Sequence, residues 1–267
     1  MRLQEDIDEL EKWSSKWLLG LNLEKCKIMH VGKSNPNFNY QMLSNGVKFS
    51  LEKSVLEKDV GVMISNDLKW REQVNSSVTR ANAVLGKVSK SVTFRSKELI
   101  KSLYCTFVRP LLEFAVPVWC PYQSTDIDKL ERVQRRATKL IPELRHLSYE
   151  ERLIELYLTT LETRRKRGDI IQFYKLKNGI EDINWFKQRI PVSSLTTSGP
   201  ASSIRGHKHR LEKENVKNCL QRFNFFTNRI VNIFVILPKE TVEAKSVNSL
   251  NWICIKAKLD LHFNKSA

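Results

Sequence analysis

The hydrophobic positions of this chain keep one rhythm up to about residue 68 and another beyond it. Leu3, Ile7, Leu10, Trp13 and Trp17 recur at the spacing of one helical face, and Gly20 stands where a helix C-cap is expected. Residues 26–31 (CKIMHV) predict a short strand. Phe38, Tyr40 and Met42 alternate, Asn45-Gly46 supplies a tight turn, and Val47, Phe49 and Leu51 alternate again, which predicts a hairpin. Residues 58–65 (KDVGVMIS) predict one further strand.

Beyond Asp67 the rhythm becomes helical. Trp70, Val74, Ser77 or Val78, Ala81, Leu85, Val88 and Val92 predict a long helix. A second should run from Ser96 to about Trp119, with Leu99, Leu103, Phe107, Leu111, Phe114 and Val118 inward and a kink at Pro110. LERVQRRATKLI, residues 130–141, puts Leu130, Val133, Ala137, Leu140 and Ile141 on one arc. Ser148 and Glu151 form a capping box ahead of Leu153 and Leu156. A further helix should start near Thr160 and stop at Asn178-Gly179, and residues 191–206 (PVSSLTTSGPASSIRG) read as a linker. Leu220, Phe223, Phe226, Ile230, Ile233 and Phe234 predict a helix, and residues 247–259 another. The expected fold is α+β and predominantly α. A small α/β piece (1–68) leads into a helical region (69–190), a linker (191–206) and a small helical module (207–267). Trp13, Trp17, Trp70 and Trp119 are expected in the core rather than as base-stacking platforms.

Charge changes this picture. Arg132, Arg135, Arg136 and Lys139 share the arc opposite the apolar one, with no carboxylate among them. An ordinary solvated face mixes signs, because like charges repel and opposite pairs one turn apart attract. Arg164, Arg165, Lys166 and Arg167 repeat the design in the next long helix. Residues 1–68 carry 9 Lys/Arg and 10 Asp/Glu out of totals of 45 and 29, so the net +16 belongs wholly to the later part. The residues favour a phosphate track on these two helices, because a guanidinium can bond two phosphate oxygens at once. The rivals are solvated charge facing Glu150, Glu151 and Glu155, a nuclear-import signal at residues 164–167, and an anionic lipid surface. No run of 18 apolar residues and no signal peptide is present.

Candidate chemistry is sparse. Five scattered cysteines with no C-x-x-C pair fit reduced thiols, in the cytosol or nucleus. His207, His209 and Cys219 fall short of a zinc site. Asp126 with Asp128, and Glu150 with Glu151, suit helix N-termini better than catalysis.

Five segments, in order and at matching spacing, carry a resemblance: LQEDIDELEKWSSKWLLGLNLEKCKIMHVG, EKDVGVMISNDLKW, LYCTFVRPLLEFAVPVW, DIDKLERVQRRATKLI and LSYEERLIELYLTTLETRRKRGDIIQFYKLKNG. With RGH at 205–207, FFTNRIVNIFVILP at 225–238 and SVNSL at 246–250, they resemble non-LTR retrotransposon reverse transcriptases of the jockey and chicken-repeat type. The resemblance implies the last segment of a polymerase palm, a helical thumb and a C-terminal region. It places Lys58, Asp59, Val60 and Gly61 near the palm–thumb junction. The family's Mg²⁺-binding aspartates lie upstream of the matching segments, and the sequence contains no Asp-Asp dipeptide. Where the family usually has Trp and Asn in its tail, this chain has Phe234 and Val235. The implied protein is a C-terminal fragment of an RNA-directed DNA polymerase. It would bind RNA, DNA or an RNA–DNA hybrid without catalysis or a cofactor of its own, and the missing fingers and palm are a possible partner; no membrane is implied.

Overall fold

A computed structural model describes residues 2–32, 34–44, 47–181, 183 and 213–235. The expected 45–46 turn, the 191–206 linker, the 247–259 helix, and the His207 and His209 positions lie outside them. The chain is mostly helical with small sheets, and it divides after Gln73 into two compact units.

The first unit holds α1 (Arg2–Lys16) and six short strands. The strands are β1 (Lys27–Ile28), β2 (Gln41–Ser44), β3 (Val47–Ser50), β4 (Glu52–Lys53), β5 (Leu56–Asp59) and β6 (Val62–Ser65). They form three separate pairs: β1 parallel to β4, β2 antiparallel to β3 with Met42 opposite Phe49, and β5 antiparallel to β6. Helix α1 ties to β2 through polar side chains. Gln4 donates to the Gln41 carbonyl (2.8 Å) and accepts from its N–H (3.0 Å), and the Glu11 carboxylate accepts from the Leu43 N–H. Open edge groups of β2 are thereby satisfied.

Two expectations fail here. The apolar stripe of α1 does not make a core: Trp13 is 51% and Trp17 61% exposed, and among the described residues of this unit only Met42 and Val62 are buried hydrophobics. Two-stranded pairs offer too little apolar area to cover a helix of this length. Residues 58–65 are not one strand either. The chain reverses at Val60 (φ 42°) and Gly61 (φ 88°), with Asp59 opposite Val62. Two successive positive φ values are the signature of a type I′ hairpin turn.

The second unit is helical. Its helices are α2 (Arg71–Ser91, entering from the first unit), α3 (Lys97–Leu103), α4 (Arg109–Glu113), α5 (Ser124–Thr138), α6 (Tyr149–Glu155), α7 (Leu161–Lys177), α8 (Leu220–Phe223) and α9 (Phe226–Val235). Helix α5 is central and packs on α3, α6 and α7, while α9 packs on α7. Lys129 donates to Asn75 (3.1 Å) and Arg136 to Asn82 (3.5 Å), so α5 and α2 run alongside in the same direction. The capping box is formed: Ser148 N–H donates to Glu151 (2.7 Å), and Glu151 N–H to the Ser148 hydroxyl (3.3 Å).

Between α3 and α4 the helix widens to a π turn over Tyr104–Val108. The widening accommodates Pro110, which has no amide to donate. The buried stripe of this segment is not the expected one. Ile100, Tyr104, Val108, Leu112, Val116 and Trp119 are buried, whereas Leu99, Phe107, Phe114 and Val118 are exposed. Both stripes have helical spacing, so periodicity alone could not choose between them.

A β-branched residue in the left-handed region is strained, so Val60→Asn should stabilise the turn by about 1 kcal/mol. Urea unfolding of the chain should show the gain, and an unchanged or lower midpoint would contradict the described turn.

Candidate functional site

Helix α5 presents two faces of opposite chemistry. Leu130, Val133 and Ala137 are buried, with Ile141 just beyond the helix, as the spacing required. Arg132, Arg135, Arg136 and Lys139 are exposed on the other side. Among the described residues no carboxylate lies in ion-pair contact with any of these four.

Four polar residues of α5 are also buried, and periodicity gave no warning of them: Asp126, Glu131, Gln134 and Thr138. The Glu131 carboxylate accepts from the Tyr149 hydroxyl and from the Leu161 N–H (3.0 Å). Gln134 accepts from the Tyr104 hydroxyl (2.7 Å) and donates to the Tyr149 oxygen (2.9 Å) and the Thr159 carbonyl (3.0 Å). Burial lifts the Glu131 carboxyl above its ordinary range. The hydrogen bonds from Tyr149 and Leu161 and the charges of Arg165 and Arg135 offset this only in part.

The network fixes the ring of Tyr149, and the ring organises cations. The Arg135 guanidinium lies over it at 4.9 Å and that of Arg152 at 5.7 Å. Arg152 is buried and donates to the Thr138 hydroxyl (3.0 Å) and the Leu147 carbonyl (2.7 Å). Arg145 donates to the Lys139 carbonyl at 3.3 Å. These side chains line a concavity of ≈ 680 Å³ between the end of α5 and the start of α6.

The second basic turn behaves differently. Arg164 makes a two-pronged pair with Glu113, whose second prong is 2.9 Å. Arg165 and Arg167 are buried, at 3% and 5% exposure. Arg167 donates to the Thr159 hydroxyl at 3.4 Å. Both terminal nitrogens of Arg165 are buried without a hydrogen-bond partner, and its charge acts on the buried carboxylates of Glu131 and Asp169. Lys166 pairs with Glu162 at 2.9 Å. The expected phosphate track on this turn therefore does not suit the burial of Arg165 and Arg167 or the pairing of Arg164. The acids that pair with this turn are Glu113 of α4 and Glu162 of α7 itself, not the Glu150, Glu151 and Glu155 considered from the sequence.

One structural pair escaped the sequence reading. Arg229 of α9 bonds both oxygens of Asp169 on α7 (2.8 Å each) and the Pro117 carbonyl (2.9 Å). Burial raises the Asp169 carboxyl, and the Arg229 guanidinium only partly counters it. Lys58, Asp59, Val60 and Gly61 lie on the β5–β6 hairpin, with Lys58, Asp59 and Val60 exposed. The described cysteines are free, and Cys254 lies outside the described residues. A two-magnesium centre needs paired aspartates. Among the described residues no three His, Cys, Asp or Glu side chains come together. Among them, too, no helix is long and apolar enough to cross a membrane.

Compared with protein-family models, with curated proteins and with solved structures, the chain matches none.

Two stability outcomes follow from the buried carboxylates. Glu131 has a folded pKa above its ordinary value of 4.5, so the native state holds that proton more tightly than the unfolded chain. Its contribution to stability is fullest below that value and is lost as pH rises through the raised pKa. Glu131→Gln should flatten the fall in urea midpoint from acid to neutral pH, and an unchanged slope would contradict the assignment. Asp169→Ala leaves the Arg229 charge uncompensated and should cost about 3–5 kcal/mol. A thermal scan showing no loss would mean that α9 is not clamped to α7.

Proposed function

We propose that this chain is a nucleic-acid-binding fragment from the C-terminal part of a non-LTR retrotransposon reverse transcriptase. In this reading the first unit is a palm remnant and the helices from α2 onward are thumb-like. Binding is independent of base sequence and directed at the sugar–phosphate backbone of RNA, DNA or a hybrid. The chain does not polymerise by itself, and primer extension would need the fingers and the aspartate-bearing palm from another chain.

The observation that carries the reading is the α5 face: Arg132, Arg135, Arg136 and Lys139 lie exposed together, with no acid paired to them among the described residues. Part of this has a local cause, since cations in the last turn of a helix oppose its dipole favourably, by about 0.3–1 kcal/mol each. That cause does not reach Arg132, two turns back, nor does it offset the repulsion among four like charges. A polyanion removes the repulsion and gains by counterion release.

A second reading has its own observation. Leu99, Phe107, Phe114 and Val118 are exposed apolar residues between α3 and the turn that follows α4, which suits a protein partner. Under that reading the chain is a helical interaction scaffold, and its associations survive nuclease treatment.

The two readings separate in a salt titration of a fluorescent oligonucleotide. Each lost phosphate contact should reduce the slope of log affinity against log salt by about one, so Arg132→Ala with Arg136→Ala should reduce it by about two. Arg164→Ala should lower stability and leave the slope alone. Absence of any salt-dependent binding would remove the nucleic-acid role.

A further inference from the structure

Resting on the nucleic-acid reading, we propose that the concavity between α5 and α6 is a phosphate seat that takes two adjacent phosphates of the bound strand. Five cations line it: Arg135, Arg136, Lys139, Arg145 and Arg152. The one carboxylate among the lining residues is Glu150. A single internal phosphodiester brings one negative charge, too little for this excess. The volume of ≈ 680 Å³ also exceeds what one phosphate fills. It falls within the roughly 300–1,000 Å³ of sites that enclose a ligand of several groups.

The seat is organised before any ligand arrives. Arg135 rests on the Tyr149 ring, and the Tyr149 hydroxyl is held by Glu131, which Leu161 N–H holds in turn. Arg152 is fixed beneath by Thr138 and Leu147, and Arg145 is tethered to the backbone of Lys139. A guanidinium already held in place loses less conformational entropy when it binds. Tyr149 is therefore a positioning residue, acting through Arg135. Glu150 repels phosphate, so the strand passes over the side of the seat away from it.

Inorganic pyrophosphate carries two linked phosphate groups without sugar or base, joined through one oxygen where a strand has a sugar between them, and isothermal titration of the full chain at low salt is the direct test. One saturable site is expected. Arg145→Gln should weaken it about tenfold, the loss of one charge-assisted hydrogen bond. Tyr149→Leu should weaken it as well, with Tyr149→Phe restoring much of the affinity because the ring is kept. Glu150→Gln should tighten binding, a gain that misfolding cannot produce. Arg132→Gln, outside the seat, should leave pyrophosphate affinity unchanged while weakening the oligonucleotide.

Pyrophosphate should also displace a labelled single-stranded oligonucleotide. If no saturable pyrophosphate site exists, or if Arg145→Gln and Glu150→Gln both leave it unmoved, the seat is wrong. The broader reading then stands provided the oligonucleotide still binds with a salt slope. If pyrophosphate binds and the variants respond, but the oligonucleotide neither binds nor is displaced, the ligand is a free oligophosphate. That result overturns both the strand as its source and the nucleic-acid reading.

Discussion

Glu131 is a carboxylate placed on the inner side of its helix, and the second unit is arranged around satisfying it. A buried carboxylate must find donors or opposite charge, or it must take a proton. Here the donors come from three directions: the Tyr149 hydroxyl on α6, the first amide of α7 at Leu161, and Gln134 one turn along (3.4 Å). Tyr104, at the π turn, joins through Gln134. Four helical segments meet at one set of hydrogen bonds. Unlike an apolar contact, such a set tolerates little sliding of one helix on another. The same bonds orient the Tyr149 ring, and through it Arg135, so the buried side of α5 determines the geometry of its exposed side.

The large positive charge of the chain is divided by this arrangement into two populations. One population is internal: Arg164 answers Glu113, Arg229 answers Asp169, and Arg165 and Arg167 are enclosed within the bundle. These guanidiniums hold α4, α7 and α9 together and have little left to offer a ligand. The other population, along the outer arc of α5 and around Arg145, faces solvent without acid partners among the described residues. A raw count of basic residues mixes the two. Only burial and pairing show which cations are available for a polyanion.

How far the sequence could be read depends on the range of the interaction concerned. Features set within one turn of helix were legible. The Ser148–Glu151 capping box, the inner arc Leu130, Val133 and Ala137, and the stop near Asn178 all lie where periodicity and capping rules put them. Features set by partners distant in the chain were not. Glu113 meets Arg164 across 51 positions and Asp169 meets Arg229 across 60, and no local pattern announces either pair. Segment 99–119 shows a third case, in which two apolar stripes of equal quality compete and tertiary packing buries the one starting at Ile100. The β5–β6 turn was hidden because Val60 is a strand-former that the chain nevertheless uses at positive φ. At the candidate site, the four exposed cations of α5 were visible in advance. Arg145, Arg152 and the Tyr149 ring that complete it were not, because they join α5 only through the fold.

The central claim is that the outer arc of α5 and the adjoining concavity, rather than the basic turn of α7, meet a nucleic-acid backbone. Photochemical cross-linking of a bound oligonucleotide to the full chain, followed by mapping of the modified peptides, tests it most directly. The account predicts adducts concentrated on peptides covering residues 132–149, with few on peptides covering residues 161–177. Adducts concentrated on the α7 peptides, or on the β5–β6 hairpin, would contradict it.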